Sequence, residues 1–171
     1  MIMLPDPAPG FDDPLELLRT CHERILQQCA TLTKIADHLA TRDPTEEVRA
    51  AAVLVHRYFS TAGQLHHEDE EQDLFPLLRA DPALADLIAQ LQKDHVHMGS
   101  LWRELEPRLL ALETIDNVHT FHRQVAAFNA CYAQHIAREN QELLPRASEL
   151  LPTAVLAVLG ARMAARRRVN F

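Results

Sequence analysis

Apolar residues recur along this chain at steps of three, four and seven rather than alternating. Leu15, Leu18, Ile25, Cys29, Leu32 and Ile35 make one such stripe, which is the pattern of one face of a helix. Comparable stripes predict helices over about residues 14–40, 44–75, 82–110 and 116–144, with a shorter one over 152–167. Three starts carry the same dipeptide: Asp13-Pro14, Asp43-Pro44 and Asp81-Pro82. Asp accepts from the free N–H groups of a first turn, and Pro has no N–H to leave unpaired there. Glu16 and Glu46 follow the first two caps by three residues, a capping-box-like pattern. The fourth start, around Thr114 to Asn117, is softer. Pro107 is expected to kink or end the third helix, and Pro76 and Pro145 to close the second and fourth. No run alternates with period two, so no strand is expected.

The connections between the four long segments are short, which makes consecutive helices antiparallel neighbours. The expected fold is all-α: an up-down-up-down four-helix bundle with a short C-terminal helix. No composition shift splits the chain, so one domain over 13–171 is expected after an N-terminal extension over 1–12. The 171 residues can bury a core without disulfides. Scarce Gly (4) and few aromatics (5%) fit helix rather than strand.

Charge and cysteine content narrow the setting. A net charge of −7 repels phosphate backbones, so nucleic acid is not an expected partner. The run Arg166-Arg167-Arg168 reads as cations decorating a helix C-terminus. Cys21, Cys29 and Cys131 form no CxxC pair and are odd in number, which indicates neither a disulfide framework nor a zinc ribbon. Cys29 and Cys131 read as small inward-facing core residues. The opening MIMLPDPAPGFDD lacks a basic region with an apolar run behind it, and no stretch reaches about 18 apolar residues. A cytoplasmic protein with no membrane partner is expected, and a homo-oligomer is compatible with the sequence.

Ten histidines are the outlier in the composition. A rise of about 1.5 Å per residue puts His22, His66, His95 and His135, one per long helix, some 12–20 Å from the same end of the bundle. The segments His66–Pro76, HHEDEEQDLFP, and His135–Pro145, HIARENQELLP, share His first, Glu fifth, Leu ninth and Pro eleventh. Glu70 and Glu139 therefore sit on the same helix face as His66 and His135. Four imidazoles and two carboxylates converge in one layer. Buried without partners they would cost roughly several kcal/mol, and a metal removes that objection. Mixed nitrogen and oxygen donors suit iron, manganese or zinc, and two bridging carboxylates suit a dinuclear centre. His38, His119 and His122 fall roughly 35–39 Å up the same ruler, near the other end. They, His56, His97 and His67 read as surface residues, His67 at most as a neighbour of the site. Leu18, Leu26, Leu91, Trp102 and Phe128 are expected as walls around the layer.

These pieces resemble the hemerythrin-like, HHE cation-binding domain family. LLRTCHERI with His22, the two eleven-residue segments, KDHVHMGSLW with His95 and the ending LGARMAARRR carry the resemblance, which spans Asp13 to Arg168. The up-down bundle is the known fold of myohemerythrin, a relative. The resemblance implies a non-haem centre of two iron ions, bridged by oxygen or carboxylate, with His22, His66, Glu70, His95, His135 and Glu139 as ligands. Oxygen carriers of the family have a second His one turn before the third-helix ligand, where this chain has Leu91. Their last carboxylate is Asp, five residues after its His, where this chain has Glu139 four after. Both departures resemble the bacterial and regulatory branches, and the missing His implies that one iron is more open, or filled by water or another side chain. Glu-x-x-His pairs of a ferritin-like site and an HExxH motif are absent.

The function expected on this basis is binding of O2, NO or peroxide, used in sensing or in iron and oxidative-stress handling. Two alternatives stand beside it: a di-iron enzyme, such as an NO reductase, peroxidase or iron–sulfur repair protein, and a helical interaction module with a structural metal.

Overall fold

The computed structural model describes residues 10–168, and all regular elements among them are helical. Helix α1 is Pro14–Leu39. Its cap is as the sequence predicts: the Asp13 side chain accepts from the Glu16 N–H at 3.2 Å. Most of the expected 1–12 extension lies outside the described residues.

The second helix begins later than Asp43-Pro44 suggests. Helix α2 is Glu46–Ser60, and its cap is Thr45, whose hydroxyl accepts from the Val48 N–H at 3.3 Å. The Asp43 carbonyl sits 3.0 Å from His38 Nε2 instead, in the loop. A turn at Thr61 interrupts the predicted single helix (φ −130°, ψ −84°), and α3, Ala62–Asp69, continues the rod. A π-helical turn, Glu70–Leu74, and α4, Phe75–Leu78, complete it.

The third helix also starts late. The Asp81 carboxylate accepts from the Ala83 N–H and from Arg146, so it closes a turn rather than capping a helix. Helix α5 is Ala85–Leu109 and carries Pro107 in its last turn. After a 3-10 turn, Leu112–Thr114, Asn117 caps α6, Val118–Arg138. A second π turn, Glu139–Leu143, leads into α7, Leu144–Leu150. Helix α8 is Thr153–Arg168.

Pro76 and Pro145 do not end their rods. In both, a π turn lies just ahead: the Phe75 N–H bonds the Glu70 carbonyl, and the Leu144 N–H bonds the Glu139 carbonyl. Proline lacks an N–H, and its ring collides with the carbonyl four residues back in a regular α-helix. The wider turn accommodates the ring and the helix goes on for four and seven residues.

The helices pack as a bundle. Helix α1 lies against α2 and α6, α5 lies against α6 and α2, and α8 rests on α1, α3 and the first π turn. Two apolar clusters form the core. One gathers Ile25, Leu32, Phe59, Trp102, Leu105 and Phe128; the other gathers Leu18, Phe75, Leu91, Leu143, Leu159 and Met163. Each fully buried side chain of this kind contributes roughly 1.5–3 kcal/mol relative to exposure. Along α1 the buried stripe runs Leu18, His22, Ile25, and along α5 it runs Leu91, His95, Met98 in register. The polar layer thus lies between the two clusters, on the stripes that build them.

Leu26 is a correction to the expected walls: it is 40% exposed, because the inward positions beside His22 fall to Leu18 and Ile25. Leu18, Leu91, Trp102 and Phe128 are buried as expected. Cys29 is buried in the first cluster, while Cys131 is only half-buried because Tyr132 takes the inward position.

Candidate metal centre

The six residues singled out from the sequence come together. Their donor atoms form two groups of four: His22, His66, Glu70 and Glu139, and Glu70, His95, His135 and Glu139. Both groups contain the same two carboxylates. Within each group the atoms lie within 4.8 Å of one another, the reach of a single cation.

The distances show how the carboxylates span the groups. Glu70 Oε1 is 3.1 Å from His66 Nε2 and 3.7 Å from His22 Nε2, while its Oε2 is 3.3 Å from His95 Nε2. Glu139 Oε2 is 3.0 Å from His22 Nε2 and 3.2 Å from His135 Nε2. His95 and His135 face each other, Nε2 to Nε2, at 3.1 Å. Apart from His95, at 8%, the six side chains are 1% exposed.

A metal ion suits this arrangement on one specific ground. His22 Nε2, His66 Nε2, Glu70 Oε2 and both Glu139 oxygens are buried and make no hydrogen bond. They are close together but not aligned donor to acceptor, so their lone pairs are left for something else. Buried polar atoms in this state are rare, since each costs about 1–3 kcal/mol. Cations held in the two groups would take up these lone pairs together.

The far side of the rings is fixed by other residues. His22 Nδ1 lies 2.8 Å from Asn140 Oδ1; this pairing keeps the proton on Nδ1 and leaves Nε2 as a donor of its lone pair. His95 Nδ1 lies 2.7 Å from Glu71 Oε1, and Gln92 donates to the other Glu71 oxygen at 2.7 Å. Asp94 Oδ2 lies 3.5 Å from His135 Nδ1 and takes a 2.6 Å bond from Arg138. The Cys21 thiol neighbours the His66 ring.

Without a metal, the two carboxylates draw protons instead. Burial disfavours a charged His22, but Glu139 and Glu70 outweigh it and raise its pKa to about 9. Burial is likewise outweighed at His66 by Glu70, and at His95 by Glu70 and Glu71, so both are raised. Burial pushes Glu70 up, yet His66 and His22 hold it well below the usual carboxylate range. Glu139 is lowered too: burial and Glu70 work upward, His135 and His22 downward and more strongly. The site is therefore short of positive charge, which protons or metal ions can supply.

His67 corrects the surface reading. It is half-buried and stacks on His95 with ring centroids 4.1 Å apart. The Tyr132 hydroxyl reaches its Nε2 at 3.4 Å. Burial, then the charge of His95, keeps the His67 ring well below its usual pKa and so neutral. Nothing in the local spacing signals this: His67 is turned about 100° from His66, and its partners His95 and Tyr132 come from other helices. His97, His119 and His122 are exposed; His38 and His56 are half-buried, His56 beside Glu106 at 2.8 Å. No further metal-holding group occurs among the described residues.

A surface cleft of about 280 Å³, lined by Gln64, His67, Glu71, His95 and Val96 among others, opens at His95. Leu91, one turn ahead of His95, is fully buried in the second apolar cluster, so no additional donor stands there.

The model of the hemerythrin family, described as the hemerythrin HHE cation binding domain, matches residues 13–147. A Haemophilus influenzae protein bearing the name "Uncharacterized protein" is 30% identical over 170 residues, covering 99% of this chain and 98% of its own length.

Proposed function

This chain belongs to the hemerythrin HHE cation-binding domain family, and on that footing we propose that it is a non-haem di-iron protein that binds O2, NO or peroxide. His22 and His66 would hold one iron, His95 and His135 the other, with Glu70 and Glu139 between them. Sensing, or the handling of iron and oxidative stress, is the use this reading favours. The reading takes the four rods as alternating up and down, in one domain over 13–171, in a reducing cytoplasm where the three cysteines stay thiols. No helix among the described residues is long and apolar enough to cross a membrane. A net charge of −7 argues against nucleic acid as a partner.

The observation that carries the reading is the sharing of Glu70 and Glu139 between two histidine pairs. Iron at these positions supplies a redox-active Lewis acid able to bind a small ligand. The protein's own part is to keep the imidazole lone pairs facing inward, through Asn140 and Glu71, and to exclude bulk water with Leu18, Phe75 and Leu91. The cleft at His95 is the route by which a diatomic ligand or peroxide would reach the centre, since the other five side chains are sealed.

Metal content and the visible spectrum of the purified protein test this directly. About two irons per chain, with charge-transfer bands that change on adding O2, NO or peroxide, is the expected result. A folded protein that takes up no iron refutes the reading. Turnover of NO or peroxide with a reductant would make it an enzyme. Full iron loading with no response to any of the three would make the metal structural.

A further inference from the structure

The arginine-rich end of α8 covers a pair of acids, Asp69 and Asp73, that belong to neither donor group. Asp69 is fully buried and Asp73 is 5% exposed. Arg166 lies across both: one Nη donates to Asp69 Oδ1 and the other to Asp73 Oδ2 at 2.6 Å. Arg167 donates to Asp69 Oδ2 at 2.7 Å, and Arg162 to Asp73 Oδ1 at 3.1 Å. The reading of Arg166 and Arg167 as mere decoration of a helix end is thereby corrected. Of the Arg168 side chain, outside the described set, nothing follows.

The place of this network matters. Asp69 directly precedes Glu70, and Asp73 lies inside the π turn that Glu70 opens. The piece of helix carrying His66 and Glu70 is short. It begins at Ala62, after the break at Thr61, so α3 has eight residues. A helix of eight residues is too short to be stable by itself, so its placement depends on tertiary contacts. Two carboxylates at its end and in the following turn, pinned by guanidinium groups of α8, supply such contacts. The second rod has no equivalent. There α6 runs unbroken for 21 residues into its π turn, and the matching positions are Arg138, which pairs with Asp94, and Glu142, which is exposed.

The other side of α8 is seated too. A Cβ at Gly160 would lie 1.8 Å from the Phe11 carbonyl oxygen, so only glycine allows the approach of that backbone. The Arg167 guanidinium lies 5.6 Å over the Phe11 ring, and Leu159 and Met163 enter the second apolar cluster. Buried ion pairs of this kind are weak contributors to net stability, so the network is not explained by stability alone.

We propose that α8 is a clasp: Arg166 and Arg167, through Asp69 and Asp73, set the position of Glu70 and His66 and so govern how firmly the centre retains its metal. These four are positioning residues, and the inference rests on the iron reading above.

The test compares full-length, iron-loaded wild type with Arg166→Met, Arg166→Lys, Arg167→Gln and, remote from the site, Leu105→Ala. Each is challenged with an iron chelator while the visible band is followed, and its melting temperature is measured. Arg166→Met should release iron about tenfold faster or more, as for other residues that orient metal ligands. Arg167→Gln should show a smaller increase, and Arg166→Lys should recover part of the wild-type rate. Leu105→Ala should melt lower yet release iron at the wild-type rate. Release rates that simply follow melting temperature across the set, or an Arg166→Met rate within about twofold of wild type, overturn the clasp while the iron reading stands. If Arg166→Met does not fold, Arg167→Gln against Leu105→Ala decides. A wild type that loads no iron overturns both.

Discussion

Glu70 and Glu139 occupy the same local position on two different rods. Each carboxylate reaches histidines of both groups, and each backbone carbonyl accepts the five-residue bond that opens a π turn. Side chain and backbone of the same residue thus define the centre and the local widening of the helix beneath it.

Because each carboxylate belongs to both groups, its loss should affect both ions. Glu70→Gln or Glu139→Gln is expected to lower iron from about two to below about 0.5 per chain. His95→Ala, which touches one group, should retain about one. Elemental analysis of the purified variants decides this. Equal loss from all three would contradict the two-group arrangement.

The neighbours His67 and His97 should behave differently. His97 is exposed, so His97→Ala should leave iron content unchanged and stability within about 0.5 kcal/mol. His67 packs on His95 and Tyr132, so His67→Ala should destabilise by about 1–3 kcal/mol. Denaturant unfolding of the two variants, with and without iron, checks the contrast.

The metal-free protein should lose stability as pH rises from neutral. His22 titrates at about 9 when folded, against an ordinary 6.5. Its contribution is complete below 6.5 and is lost as pH climbs through about 9. Glu70 and Glu139 are held below their ordinary 4.5, so they add stability above that value that is lost on acidification. Urea midpoints of the metal-free form should therefore fall between pH 6.5 and 9, while those of the iron-loaded form stay level. A metal-free curve that is flat over this range would refute the assignment.

The π turns should be indispensable to their rods. Deleting Gln72, an exposed residue of the first π turn, would restore α geometry and bring the Pro76 ring against a carbonyl. A cost of about 3 kcal/mol or more is expected, together with loss of iron. The double change, deletion of Gln72 with Pro76→Ala, should recover part of the stability by removing the ring. Circular dichroism melts measure both; a deletion variant as stable as wild type would show that the turn is dispensable.

The sequence by itself determined most of the helical spans and brought out the six side chains that the fold gathers together. Both are local: apolar spacing fixes a helix face, and a His four residues before a Glu fixes a shared direction. The eleven-residue echo was visible for the same reason. What the sequence hid is of two kinds: which of several local options the chain takes, and which neighbours distant in the chain come to meet a side chain. Asp43 and Asp81 are good caps in isolation, but Thr45 and the turn at Ala83 took those places. Pro76 and Pro145 look like stops until a π turn ahead of them widens the helix. His67 lies about 100° round from His66 on an ideal helix, and only the approach of α5 and α6 puts His95 and Tyr132 against it. The sharpest case is Asp69 beside Glu70. Both are acids in one solvated-looking run, and both are buried. One faces four imidazoles and a second carboxylate, the other faces arginines nearly a hundred residues away. Spacing along one helix sets the angle between two side chains, but which helix comes to meet each of them is decided only when the bundle closes.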